Sequence, residues 1–284
     1  MKLTEKKLSK THRVLVFGEP KSGKTEIVGG LSKEFDLLYF DLENGFATLL
    51  KLPPAQQERI DLVSIPDTKV FPIAIETMLK VVTGMRTEIC EKHGKVNCPL
   101  CKKESLPMQV VELNALPDTT IVVVDSLTQL ANSAMNHLTK AQDDTYKPEW
   151  TDYRNQGQLM DKFLSQIQQA AYNICCITHV VETELEDGRK KLVPVAGTTA
   201  FSRNTAKYFD HVVFCEVKNR KHNFASSTLY SNTVVTGSRT GIEVEKREIP
   251  TLLDVFKSHL DRPQTSAQKA VSQLAALGAT GAAK

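Results

Sequence analysis

Two glycines, a lysine and a hydroxyl stand in the spacing G-x-x-x-x-G-K-[ST] at Gly18-Glu19-Pro20-Lys21-Ser22-Gly23-Lys24-Thr25. In this pattern successive backbone N–H groups turn toward a polyphosphate, and the start of a helix adds partial positive charge. Gly18 and Gly23 let the backbone approach closely, Lys24 is expected to reach the β and γ phosphates, and the Thr25 hydroxyl is expected to ligate magnesium. An apolar run, Val14 to Phe17, precedes the loop, and Glu26 to Leu31 follows it with helical spacing. A strand therefore hands over to a helix at the loop, which is the setting the motif requires. The chemistry implied is binding of a nucleotide polyphosphate with Mg²⁺.

Further acids sit where such a site needs them. The run Leu37-Leu38-Tyr39-Phe40 leads into Asp41-Leu42-Glu43-Asn44-Gly45, and ligands of open α/β sheets lie beyond the carboxyl ends of strands. Glu43 is the candidate for the group that orients an attacking water, with a helix-capping or solvated acid as the alternative. The β-branched run Thr119 to Val124 ends in Asp125 and Ser126. Such a strand reads as buried on both faces, and its acid as the one that holds magnesium through the water shell. Asn173 to Thr178 reads as another buried strand, with Cys175 and Cys176 as small core residues and His179 at its end. His179 is either a γ-phosphate sensor or a structural histidine.

A second cluster has different chemistry. Cys90, His93, Cys98 and Cys101 form a C-x2-H-x4-C-x2-C array in a lysine-rich, turn-rich segment. Four such ligands match a closed, structural zinc site, with a Cys98–Cys101 redox pair as the competitor. Lys92, Lys95, Lys102 and Lys103 around it suit either a nucleic-acid backbone or a solvated surface.

These groups need elements to hold them. A short strand is expected at 59–65, a helix from Pro66-Asp67 to about Val82, and helices over 127–138 and from about Pro148 to Tyr172. In the last of these, Trp150 and Tyr153 are expected in the core, with base stacking as the alternative. Residues 182–199 read as a mobile loop or hairpin whose Arg189, Lys190 and Lys191 could follow a DNA backbone. Strands are expected near 211–218 and 228–236, followed by Gly237-Ser238-Arg239-Thr240-Gly241, which presents an arginine at a sheet edge. Residues 1–12, with Lys2, Lys6, Lys7 and Lys10, read as a basic arm, and 263–284 as a weakly ordered tail. The core is expected over 13–262, with the zinc-type insert at 86–108.

Composition sets the class. The 284 residues are 41% apolar with a net charge of +3, enough to bury a core and too mild in charge to prove a nucleic-acid partner. No apolar segment suits a secretory signal or a membrane span, so a cytoplasmic setting with reduced thiols is expected.

Taken together, the phosphate loop, Phe40-Asp41-Leu42-Glu43, Val123-Val124-Asp125-Ser126 and Ile177-Thr178-His179 resemble the RecA-type recombinase core over roughly 13–260. The pattern looks most like the reduced, phage-encoded RecA-like single-strand annealing proteins. The resemblance implies an α/β P-loop NTPase core, with a mostly parallel sheet flanked by helices, that hydrolyses ATP on single-stranded DNA in homologous annealing or strand exchange. It gives Glu43 the role of catalytic glutamate and His179 that of the residue coupling nucleotide state to DNA binding, although RecA itself has glutamine there. It implies DNA-facing loops at about 140–148 and 182–199. It also implies self-association, as filament or ring, in which Arg239 completes a neighbour's ATP site, with a single-strand DNA-binding protein as a candidate partner. A ring-forming helicase-like motor and an ATP-gated loader or adaptor are the alternatives. The zinc-type insert departs from RecA.

Overall fold

The computed structural model describes residues 11–143, 145–184, 188–226, 231–239 and 252–257. Its strands are β1 (Arg13–Gly18), β2 (Asp36–Asp41), β3 (Ile60–Ser64), β4 (Thr87–Cys90), β5 (Met108–Val111), β6 (Thr120–Asp125), β7 (Asn173–Glu184), β8 (Lys190–Pro194), β9 (His211–Lys218), β10 (Lys221–Ala225) and β11 (Gly237–Ser238). The helices are α1 (Lys24–Gly29), α2 (Pro54–Gln57), α3 (Ala74–Val81), α4 (Pro99–Lys103), α5 (Leu127–Thr139), α6 (Trp150–Gln168), α7 (Thr199–Ser202) and α8 (Leu253–Lys257).

The central sheet runs β10-β9-β1-β7-β6-β2-β3. Its six strands from β9 to β3 are parallel, and β10 joins the β9 edge antiparallel. This is the mostly parallel α/β architecture expected. Val14 to Phe17 and Ile121 to Val124 are fully buried, because a parallel strand covered on both faces excludes water from every side chain. Alternate residues serve two cores. Leu15, Phe17, Val122, Val124 and Cys176 pack beneath α3, α5 and α6, while Val14, Val16, Tyr39, Val123 and Cys175 face the side of α1 and α8.

Register aligns the strand ends that matter. Gly18 lies level with His179 on one side and Cys215 on the other. Asp41, Asp125 and Ile177 form a second level row. Slipping any one strand by a residue would turn its polar terminus to the wrong face.

Several elements differ from expectation. The helix expected from Pro66 begins at Ala74, since Pro72 disfavours helical backbone at Phe71. Asp67 instead acts as a remote cap: its carboxylate accepts from Ala74 N at 2.7 Å and from Ser133 Oγ at 2.8 Å. Helix α6 ends at Gln168, and a capping box between Glu149 and Asp152 starts it. Trp150 and Tyr153 are not core residues: they are 74% and 45% exposed. The strand expected at 228–236 is not seen among the described residues. β9 pairs instead with β10 after a tight turn at Asn219 and Arg220, both with positive φ, and Val234 makes only an isolated bridge to Leu192. Residues 227–230 lie outside the described residues.

Within 182–199, β7 and β8 pair antiparallel, and residues 185–187 lie outside the described residues. Of the expected arm, Met1 to Lys10 lie outside the described residues, whereas His12 is 2% exposed and donates its backbone N–H to Asn173 Oδ1. The described residues of the arm thus already pack against the sheet before Arg13. The expected tail, 263–284, also lies outside the described residues. No helix among the described residues is long and apolar enough to cross a membrane.

Candidate functional site

The phosphate loop joins β1 to α1. A Cβ on Gly18 would fall 2.1 Å from the Cys215 carbonyl oxygen, so only glycine fits beside β9. Gly23 has φ 91°, the left-handed conformation that side chains resist. The Lys24 ammonium donates to the carbonyls of Gly18 at 3.0 Å and Glu19 at 2.7 Å, and burial lowers its pKa. Ser22 Oγ is buried with no hydrogen-bond partner among the described residues. A left-handed Gly23, a folded-back lysine and an orphaned hydroxyl fit a polyphosphate.

Next to it, Thr25 Oγ1 donates to Asp125 Oδ2 at 3.1 Å, and the Tyr39 hydroxyl donates to the same oxygen at 2.5 Å. Thr25 and Asp125 fit a magnesium ion, which would neutralise charge on phosphate oxygens. Burial pushes the Asp125 pKa up to about 6; the charges of Glu43 and Asp41 add to this, and hydrogen bonds from Tyr39 and Thr25 offset part of it. An acid whose native pKa is raised contributes stability that is complete below its unfolded value, near 3.8, and is lost as pH rises through about 6. At neutral pH the ionised carboxylate costs roughly 2–3 kcal/mol in the ligand-free protein. Asp125→Asn is therefore expected to raise the ligand-free melting temperature by several degrees at pH 7.5 and by little at pH 4.5. Calorimetry at the two pH values checks this, and equal or negative shifts would refute it.

Glu43 does not continue β2. The strand stops at Asp41, whose carboxylate accepts the backbone N–H groups of Glu43, Gly45 and Phe46 at 3.0–3.1 Å, and Asn44 takes φ 60°. This turn delivers the Glu43 carboxylate to Ser126, whose hydroxyl donates to it, and to His179, whose Nε2 lies 3.7 Å away. Burial raises the Glu43 pKa, but the nearby His179, the hydrogen bond from Ser126 and the Lys24 ammonium outweigh it and bring the net value below the ordinary one. His179 is fixed from behind: Thr128 Oγ1 accepts its backbone N–H at 3.0 Å and pairs with Thr178 Oγ1 at 2.9 Å. Its Nδ1 is buried without a hydrogen-bond partner among the described residues.

The structure thus gathers Gly18 to Thr25, Glu43, Asp125 and His179. It does not bring Arg239 to them. β11 pairs with the start of β9, roughly 13 Å along that strand from Cys215 at 3.3 Å per residue. There the Arg239 guanidinium donates to the Lys207 carbonyl and lies 3.9 Å from Asp210. Arg189, Lys190 and Lys191 sit on the β7–β8 hairpin, with Lys190 paired to Glu182 at 2.7 Å.

Four site partners were not anticipated. Asp41 is local in sequence to Glu43, whose turn it holds, whereas Tyr39 and Ser126 reach across between strands to Asp125 and Glu43, 86 and 83 residues away. His222 was not foreseeable: β10 folds back so that its Nδ1 donates to the Ser22 carbonyl at 3.0 Å, a contact between residues 200 apart.

A family model described as an AAA domain matches residues 10–241. The chain belongs to that family. This AAA-domain protein therefore carries a P-loop ATPase domain, in agreement with the loop and its strand-to-helix setting. It is similar to a solved structure described as a prototypical ATPase from the type III secretion system of pathogenic bacteria. The identity is 12%, the TM-score is 0.39, and the match covers 72% of this chain and 51% of that one. The AAA-domain chain thus spans about half the length of that ATPase. None of the curated proteins matches it.

The cysteine–histidine cluster lies apart, in the insert built from β4, α4 and β5. His93 Nδ1 is 3.9 Å from Cys90 Sγ, 3.6 Å from Cys98 Sγ and 3.1 Å from Cys101 Sγ. All four ligand atoms fall within 4.8 Å of one another. A tetrahedral zinc with bonds near 2.3 Å sets its ligands about 3.8 Å apart, so the donors fit that ion. Cys98 is pulled down to about 6, chiefly by the Cys101 backbone N–H, while Cys101 is pushed up to about 12 by burial and the neighbouring thiols. One thiolate forms readily and the next is resisted, which a divalent cation would relieve.

Proposed function

We propose that this protein hydrolyses ATP on single-stranded DNA and promotes homologous annealing or strand exchange, in the manner of RecA-type recombinases. The observation that carries this reading is the continuity of β7. One strand passes from His179, against Glu43, into the hairpin that bears Arg189, Lys190 and Lys191. A shift of His179 when the γ phosphate appears or leaves would be felt in that hairpin, because a strand transmits displacement along its axis.

In this reading Lys24 and the loop amides hold the phosphates, and Thr25 with Asp125 holds magnesium. Glu43 orients and deprotonates the attacking water. Arg239 acts on a neighbouring subunit's ATP, a reading supported by its distance from the loop of its own chain, and hydrolysis then depends on assembly. The Cys90, His93, Cys98 and Cys101 site is structural zinc.

The test is ATP turnover with no DNA, with single-stranded DNA and with duplex, for wild type and Arg239→Ala. Single strands are expected to stimulate wild type at least ten-fold and to leave Arg239→Ala near its DNA-free rate. Turnover indifferent to DNA would refute the reading and favour an ATP-gated adaptor. Directional unwinding of a tailed duplex would favour a helicase-like motor.

A further inference from the structure

Trp150, Arg154, Gln158 and Lys162 follow one another at intervals of four along α6, and all four are exposed. Residues so spaced lie one above another on a helix, and this ridge runs about 18 Å at 1.5 Å per residue. The Arg154 guanidinium carbon lies 5.6 Å from the centre of the Trp150 ring, an attraction that orients both side chains.

Beside the ridge a groove of ≈ 530 Å³ separates α6 from residues 198–207, with Tyr153 on the near wall and Phe201, Asn204 and Lys207 on the far one. Three cations, Arg154, Lys162 and Lys207, line it against a single carboxylate, Asp161. That carboxylate is already occupied by the Tyr208 hydroxyl.

We propose that this ridge and groove bind single-stranded DNA, with unpaired bases stacking on Trp150 and Tyr153 and phosphates against Arg154, Lys162 and Lys207. Exposed rings alternating with cations suit a strand whose base faces are open. A duplex hides those faces, and an acidic peptide would use the cations but leave the two rings idle. The inference rests on the single-strand reading above. It adds a surface on α6, distinct from the β7–β8 hairpin.

Trp150 is the chain's one tryptophan, so its emission reports on this ridge directly. The full chain is titrated with oligo-dT, a duplex and polyglutamate, while the anisotropy of labelled oligo-dT is followed in parallel. Oligo-dT is expected to quench the emission in step with the anisotropy rise. Trp150→Ala, Tyr153→Ala and Lys162→Glu are each expected to weaken oligo-dT binding about ten-fold, with DNA-free ATP turnover unchanged. Lys162→Ala should also reduce the salt dependence of binding. Oligo-dT that binds by anisotropy yet leaves the emission and the variants' affinities untouched would overturn the α6 surface while sparing the single-strand reading. No oligo-dT binding at all would overturn both. Quenching by polyglutamate but not by oligo-dT would reassign the surface to an acidic peptide.

Discussion

Glu43→Gln is expected to reduce ATP turnover by about 10²- to 10⁴-fold, the usual contribution of a positioned general base, while leaving ATP affinity nearly unchanged. The side chain sits on a turn clamped by Asp41, so glutamine, with the same length and one oxygen acceptor, can keep the hydrogen bond from Ser126. Only the charge and the basicity are removed. Because hydrogen bonds and nearby cations hold the Glu43 pKa below its ordinary value, wild type presents a carboxylate at neutral pH. Lys24→Ala provides the contrast, since it removes the ammonium nearest the phosphate cradle and should weaken ATP binding itself. Single-turnover hydrolysis measured beside the affinity for a fluorescent ATP analogue separates the two. If Glu43→Gln turned over ATP within three-fold of wild type, the water-orienting role would belong to another group.

The second large effect concerns the cysteine–histidine cluster. Freshly reduced protein is expected to carry close to one zinc per chain, and Cys98→Ser or Cys101→Ser to lose it. The insert has little else to hold it: its own buried cluster is Cys90, Cys98 and Cys101 with Leu106 and Met108 packed alongside. A core of that size does not order more than twenty residues without a cross-link or metal. The insert is not isolated, however. Ile89 and Val96 belong to the main core, and Thr77 Oγ1 donates to the Gly94 carbonyl at 2.7 Å. Loss of metal should therefore reach α3 and lower the melting temperature by on the order of 10 °C, with early proteolysis between Glu91 and Leu106. Metal analysis and limited proteolysis of wild type and both variants check this. Zinc well below stoichiometric in reduced wild type, with an intact insert, would leave the cluster as plain buried thiols.

Both expectations show how far local pattern carries. The phosphate loop was legible because its function lies in the backbone, and glycine spacing records backbone conformation directly. The position of Asp125 was legible because a doubly covered parallel strand must be apolar until it leaves the sheet. The cysteine–histidine cluster was legible because its four residues lie close together in sequence. Exposure on α6 was not. Trp150 and Tyr153 have helical spacing whether or not another element covers them, and only the packing of neighbours decides that.

The sequence by itself therefore determined the parallel α/β class, the nucleotide cradle and the zinc-type insert, since each is written in contiguous residues. Tertiary structure decided the rest. It set the register that levels Gly18 with His179, the Asp41 turn that carries Glu43 to Ser126, the return of β10 that puts His222 on the loop, and the location of Arg239 at the far end of β9. Each depends on which strands become neighbours. That choice is made by burial summed over the whole sheet, and no short window of sequence contains it.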